Sequence, residues 1–187
     1  MVTAYASGIF PMPVSRRRLG WWSPDPRAVI PVDGLVVSRS LRRSMARYET
    51  RIDHDFARVI ERCANIPRPH GWITPAIVDA YLDLHRLGIA HSIEAWDEDR
   101  LVGGLYGVSL GGLFAGGSMY HEATDASKVA LARLVEELAP VPGAVLDVQW
   151  STPHLTSLGA IDVSRDQYRT LLGTALDAPT PGVFTGV

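Results

Sequence analysis

Residues 101–119 read LVGGLYGVSLGGLFAGGSM. Leu101 to Leu110 and Leu113 to Met119 are apolar runs joined by Gly111-Gly112, the pattern of a tight β-hairpin. Just before them Ser92 to Trp96 alternates and Asp97-Glu98-Asp99 turns the chain, which adds a third antiparallel strand. Working outward on the other side, Asp125 opens a helix whose apolar face is Val129, Leu131, Leu134, Val135 and Leu138, stopped by Pro140 and Pro142. A strand at Val145 to Gln149, a turn from Pro153 to Gly159 and a short strand at Ile161 to Val163 follow. Ser164 then caps a last helix through Leu172. Hairpin, helix, strand, helix makes a mixed sheet flanked by helices, an α/β (α+β) chain.

The amino-terminal side is helical before the sheet begins. Ser38 caps a helix through Arg47, and Asp53 or Asp55 opens a second through Cys63. In the second, Phe56, Val59, Ile60 and Cys63 fall at i, i+3, i+4 and i+7, a buried stripe. Thr74 with Pro75 at the first helical position starts a third, ended by Gly88. Residues 1–35, with Pro11, Pro13, Pro24, Pro26 and Pro31, read as a loop-rich segment of short extended pieces. The expected division is therefore 1–35 as an amino-terminal remnant, 36–178 as the main domain and 179–187 as a flexible tail.

At 187 residues the chain supports one full core, and 47% hydrophobic with 20% charged residues describes an ordinary globular protein. No apolar run approaches the ~18–20 residues of a membrane span. The start carries neither a basic nor an apolar leader region, and the single Cys63 fits a reducing compartment. A cytoplasmic location is expected. Scattered histidines and one cysteine offer no metal-ligand spacing, so neither metal nor cofactor is expected.

A net charge of −2 conceals a polarity: residues 1–70 hold twelve arginines against six acids, and residues 71–187 six bases against fourteen acids. That asymmetry points the first third toward an anionic partner. Arg39, Arg43 and Arg47 lie at i, i+4 and i+8 and share one helix face, either as a phosphate-binding row or as a solvated basic face. Arg16-Arg17-Arg18 could add a loop contact.

Asp147 and Gln149 interrupt an apolar strand two residues apart, so on a regular strand their side chains leave the same face. Such a pair is costly without partners; it either stitches loops together or does chemistry. Gly103-Gly104, Gly107, Gly111-Gly112 and Gly116-Gly117 crowd the hairpin, from a ligand lying across it or from a sharp bend. Trp21, Trp22, Trp72 and Trp96 are candidates either for nucleobase stacking or for the core. His154 is placed to reach a site at the end of the 145–149 strand, or is structural.

Together these residues resemble the bacterial leucyl/phenylalanyl-tRNA–protein transferases. The strings that carry the resemblance are Gly8-Ile9-Phe10-Pro11, Trp21-Trp22-Ser23-Pro24-Asp25-Pro26-Arg27-Ala28-Val29, Trp72-Ile73-Thr74 and Ala126-Ser127-Lys128. Leu101 to Val108, Ser118-Met119, Asp147-Val148-Gln149 and Ser157-Leu158-Gly159-Ala160 extend it over nearly the whole chain. The resemblance implies a GNAT-like acyltransferase fold and transfer of an amino acid from aminoacyl-tRNA to an amine. In that family the acceptor is the amino-terminal Arg or Lys of a protein, which is thereby marked for degradation.

The same resemblance assigns residues. Asp147 matches a carboxylate that orients an amide, and Gln149 the amide that assists proton removal from the attacking amine. Leu105, Met119, Leu131, Leu134, Leu138 and Leu146 match the pocket for the transferred side chain, with Trp72 and Ser118 beside it. Arg39, Arg43 and Arg47 match positions that hold tRNA. The chain departs from the family at Met12, where a tryptophan is usual, and at Gly117, where a glutamate is usual, and it carries a shorter stretch before Gly8. Those departures keep aminoacyl-tRNA as expected donor and leave two acceptors open, a protein amino terminus or a small-molecule amine. A non-catalytic tRNA-binding relative is the third expectation, against which the retained Asp147 and Gln149 speak.

Overall fold

A computed structural model describes residues 1–15, 18–66 and 72–185. Arg16 and Arg17 of the expected loop contact lie outside the described residues. In chain order the elements are α1 (Val2–Ala6), β1 (Phe10–Ser15), β2 (Arg18–Trp22), β3 (Arg27–Ile30), α2 (Arg39–Arg47), β4 (Glu49–Ile52), α3 (Phe56–Ala64) and α4 (Pro75–Arg86). They continue with β5 (Ala90–Asp97), β6 (Arg100–Leu110), β7 (Leu113–His121), α5 (Ala126–Leu138), β8 (Val145–Gln149), α6 (Pro153–Ser157), β9 (Ile161–Val163) and α7 (Arg165–Asp177).

Local chemistry accounts for most of these boundaries. Ser38, Asp55, Thr74 and Ser164 each accept a hydrogen bond from a backbone N–H of the helix they precede, satisfying donors that the first turn leaves open. Asp53, the other candidate opener of α3, instead accepts from the Ser92 N–H at 2.7 Å and binds His91. Asp125 precedes α5 without capping it; its carboxylate takes Lys128 at 2.8 Å and the hydroxyls of Ser40 and Ser44 on α2. The turn expected over 153–159 contains the short helix α6.

β1 and β2 form a separate hairpin, while the main sheet runs β4-β5-β6-β7-β8-β3-β9. Its pairs are antiparallel except β7 with β8, which are parallel and joined across the sheet by α5. This is the mixed, helix-flanked sheet expected from the hairpin and its neighbours. One face packs Ile30, Ile93, Leu105, Phe114 and Leu146 against Leu131, Leu134 and Leu138 of α5. The other packs Leu101, Tyr106 and Val108 against the Phe56–Cys63 stripe of α3 and against Ile77, Tyr81 and Leu84 of α4. Gly103 is where α5 comes closest: a Cβ there would stand 2.6 Å from that of Ala126.

The first 35 residues do contain short extended pieces, but β3 is no peripheral one. It sits between β8 and β9 with all four residues buried. The tail expected to be flexible from Pro179 packs as far as it is described. A short 3₁₀ turn at Gly182–Phe184 lays the Phe184 ring, 3% exposed, against His91 and Phe114. Burying a phenylalanine stabilises by about 1.5–3 kcal/mol, which offsets part of the entropy lost in ordering the segment. Among the described residues no helix is long and apolar enough to cross a membrane.

Candidate active site

The site is made by two strands that part. The β7–β8 ladder runs from Leu113 opposite Val145 to Ala115 opposite Asp147, and then ends. Beyond that point each strand carries a bulge against its other neighbour. On β7, Ser118 faces Tyr106 and Gly116 faces Gly107, which leaves Gly117 unopposed. On β8, Gln149 faces Ala28 and Asp147 faces Val29, which leaves Val148 unopposed. Bulges bend and twist a strand, and the space between these two is a cavity of about 420 Å³. Gly117 stands against the Tyr106 ring; a Cβ there would lie 2.6 Å from it. Close approach to an aromatic ring, rather than a ligand laid over the hairpin, explains this glycine.

Leu105, Leu131, Leu134, Leu146 and Met119 line the cavity, with Tyr5, Phe10, Trp72, Tyr81, Tyr106, Ser118, Gln149 and His154 among the other lining residues. Leu138, assigned to the same pocket, does not line it. One turn beyond Leu134 on α5, it is fully buried in the core beneath. Helical spacing puts both leucines on one face but does not say where the cavity floor lies.

Asp147 and Gln149 do not share a face as a regular strand would require. The bulge and a left-handed backbone at Gln149 (φ 63°) break the alternation, and the Trp150 N–H closes a three-residue turn on the Val148 carbonyl at 2.8 Å. Gln149 is thereby turned to the cavity. Its Nε2 donates to the Asp147 main-chain carbonyl at 3.2 Å, and among the described residues its Oε1 accepts no hydrogen bond. The Asp147 carboxylate points the other way and is completely buried. Arg27 Nε donates to Oδ1 at 2.8 Å and Arg27 Nη2 to Oδ2 at 2.6 Å, with the Tyr168 hydroxyl adding a third bond at 2.9 Å. The Gln149 backbone N–H completes the shell at 3.0 Å. Asp147 therefore acts on Gln149 through the main chain, and does not itself touch the cavity.

Arg27 is 1% exposed, stacked between the rings of Phe10 and Tyr168 at 4.8 and 4.4 Å, with Nη1 donating to the Gly8 carbonyl at 3.1 Å. Burial opposes its charge, but the Asp147 carboxylate outweighs that and raises the guanidinium above its usual value. Burial first, then the Asp147 charge, holds the Tyr168 hydroxyl far above the usual phenol range. At the cavity the Tyr5 and Tyr81 hydroxyls bond to each other; burial pushes Tyr81 up to about 12 and raises Tyr5 as well. His154 is the exception: partial burial and then the Lys128 and His121 charges lower its imidazole from the usual value.

The α2 arginines lie on an exposed helix apart from the cavity lining. Arg39 and Arg43 share a face, with Arg43 Nε donating to the Arg39 carbonyl at 3.4 Å. Arg47 pairs with Asp97 at 2.7 Å over the Tyr48 ring. Asp125 ties this helix to α5, whose Leu131 and Leu134 line the cavity. Trp96 is core at 5% exposure, whereas Trp21 and Trp22 are 54% and 43% exposed, so neither of these two is core.

Arg27, Tyr168, Tyr5 and Trp150 were not singled out from the sequence. Arg27 entered only as one of the first third's cations and as part of the Trp21–Val29 string, although a cation directly after Pro26 and followed by Ala28-Val29-Ile30 sits in an apolar strand. That was the available signal for burial.

The site is thus a largely apolar cavity between two parting parallel strands, with one amide turned into it. Comparison with known proteins identifies the family. The family model for leucyl/phenylalanyl-tRNA protein transferase matches residues 29–173, and that for its N-terminal domain matches residues 1–25. The leucyl/phenylalanyl-tRNA–protein transferase of Anaeromyxobacter sp. (strain K) is 49% identical over 185 residues, covering 96% of this chain and 79% of that protein. Those of Azoarcus sp. (strain BH72) and Ruegeria sp. (strain TM1040) are each 46% identical, over 100% and 96% of this chain and 81% and 86% of theirs. The chain belongs to the leucyl/phenylalanyl-tRNA–protein transferase family, a family of tRNA-dependent aminoacyltransferases.

Proposed function

We propose that the protein takes leucine or phenylalanine from aminoacyl-tRNA and joins it by a peptide bond to the α-amine of a protein beginning with Arg or Lys, in the cytoplasm. The observation that carries this reading is the cavity between β7 and β8, largely apolar and edged by Gln149. A leucyl or phenylalanyl side chain buried there gains about 1.5–3 kcal/mol, while charged side chains would lose their hydration.

The donor ester is already activated, so holding an amine against it supplies much of the acceleration. An α-amine with a pKa of about 8 is partly neutral near pH 7. Gln149 Oε1 is available to accept a hydrogen bond from that amine, and the buried Arg27–Asp147–Tyr168 cluster fixes the turn that aims it. Gln149 touches the reacting amine in this account; Asp147 is a positioning residue. Arg39, Arg43 and Arg47 are assigned to the tRNA phosphates, with Arg47 in competition with its Asp97 pair.

A second reading, a small-molecule amine as acceptor, draws on Gly117 and Met12. No carboxylate lines the cavity among the described residues, so a cationic acceptor side chain would find its partner elsewhere. Both are tested with labelled Leu-, Phe- and Met-tRNA, an Arg-starting peptide and a set of small amines. Label in the peptide is expected. Transfer to a small amine alone would favour the second reading, and tRNA binding with no transfer to either would overturn both.

A further inference from the structure

We infer that His154 is the proton acceptor and donor of the transfer reaction, taking the proton from the attacking amine and returning it to the departing ribose oxygen. The inference rests on the aminoacyl-transfer reading above. When the amine nitrogen attacks the ester carbonyl, a C–N bond forms and the C–O bond to the ribose breaks. One proton must leave nitrogen and one must arrive on that oxygen.

Gln149 can hold and relay a hydrogen bond, but a neutral amide has no useful basicity. Among the described residues lining the cavity, the other titratable side chains are tyrosines. The Tyr5 and Tyr81 hydroxyls bond to each other and are held protonated by burial. Tyr106 is fully buried. His154 differs in each respect. It stands at the start of α6, five residues from Gln149, on the solvent-exposed rim among the residues that line the cavity. Among the described residues that imidazole makes no hydrogen bond or ion pair, whereas the rings of His85, His91 and His121 are each hydrogen-bonded.

The charged and titratable groups that act on it are Lys128 of α5, whose own partner is Asp125, and His121 at the end of β7. Both favour the neutral ring, as does partial burial. Near neutral pH the ring is therefore a free base with an open nitrogen at the site where a proton is released. After transfer to the leaving oxygen it is neutral again, and no co-reactant is consumed.

The test is the pH dependence of single-turnover transfer from Phe-tRNA to an Arg-starting peptide, for wild type, His154→Ala and His154→Gln. Wild type should lose activity on the acid side with a logarithmic slope approaching two, one from the acceptor amine and one from His154. Both variants should show a slope of one and a rate about 100-fold lower, with the Kd for Phe-tRNA unchanged, and added imidazole should restore part of the rate of His154→Ala. Unchanged rates and slope in the variants overturn the inference, as does a loss confined to tRNA affinity. Wild type is assayed first. If it transfers to no acceptor, the activity reading fails and this inference with it; if wild type is active and the variants match it, only the role of His154 fails.

Discussion

Asp147 and Arg27 close on each other through two hydrogen bonds, 2.8 and 2.6 Å, across the adjacent strands β8 and β3 and entirely out of solvent. The pair sets the backbone from which Gln149 enters the cavity, because the same carboxylate holds the Gln149 N–H. The placement of Gln149 and folding stability are thus linked in one cluster.

Removing one partner leaves the other as an uncompensated buried charge. Asp147→Leu and Arg27→Met are each expected to lose about 3–5 kcal/mol of stability. The double variant should be more stable than either single one, since no buried charge is left. Urea denaturation of all four proteins reads this out; additive losses would place the two residues outside a common unit.

Gln149 occupies a left-handed backbone. Gln149→Gly should therefore be at least as stable as Gln149→Ala, with the alanine variant worse by about 1 kcal/mol. Thermal melts compare them, and the reverse order would contradict the turn geometry.

The wall at Gly117 has no room for a side chain. Gly117→Ala places a methyl 2.6 Å from the Tyr106 ring, and such overpacking costs about 1–3 kcal/mol. A lowered melting temperature with a fall in transfer is expected. An unaffected variant would mean that the ring moves aside freely.

Cavity size should govern donor choice. Leu131→Phe fills part of the cavity and should depress transfer of phenylalanine more than of leucine, whereas Leu146→Ala should relax the preference. A methylene is worth only ~1–3 kcal/mol of discrimination, so shifts of roughly tenfold in the ratio of kcat/KM are expected. Parallel losses for both donors would argue that the side chain binds elsewhere.

The α2 arginines are unequal. Arg43→Ala should weaken tRNA binding and lower the slope of log Kd against log salt by about one. Arg47→Ala should do less, because Arg47 already pairs with Asp97. Filter binding over a salt series separates them, and a salt-independent effect would remove α2 from the tRNA surface.

Much of the fold was legible because its signals are local. Ser38, Thr74 and Ser164 cap the helices they precede, the Phe56–Cys63 stripe faces the core, and Gly111-Gly112 turns the hairpin. What escaped depends on distant partners. Arg27 reads as one more cation until β3 is known to lie beside β8, 120 residues away. The bulges at Gly117 and Val148 are set by registers with β6 and β3, and the one at Val148, with the left-handed turn at Gln149, parts Asp147 from Gln149. Leu138 shares a helix face with Leu134, yet the depth of the cavity is decided by strands elsewhere in the chain.

The central claim is that Gln149, aimed by Asp147, acts on the reacting amine and not on tRNA binding. Single-turnover transfer from Phe-tRNA to an Arg-starting peptide by Gln149→Gly, which adopts the native backbone without strain, tests it most directly. The account predicts a rate about 100-fold below wild type with the Kd for Phe-tRNA unchanged. An unchanged rate, or a loss of rate matched by an equal loss of affinity, would contradict it.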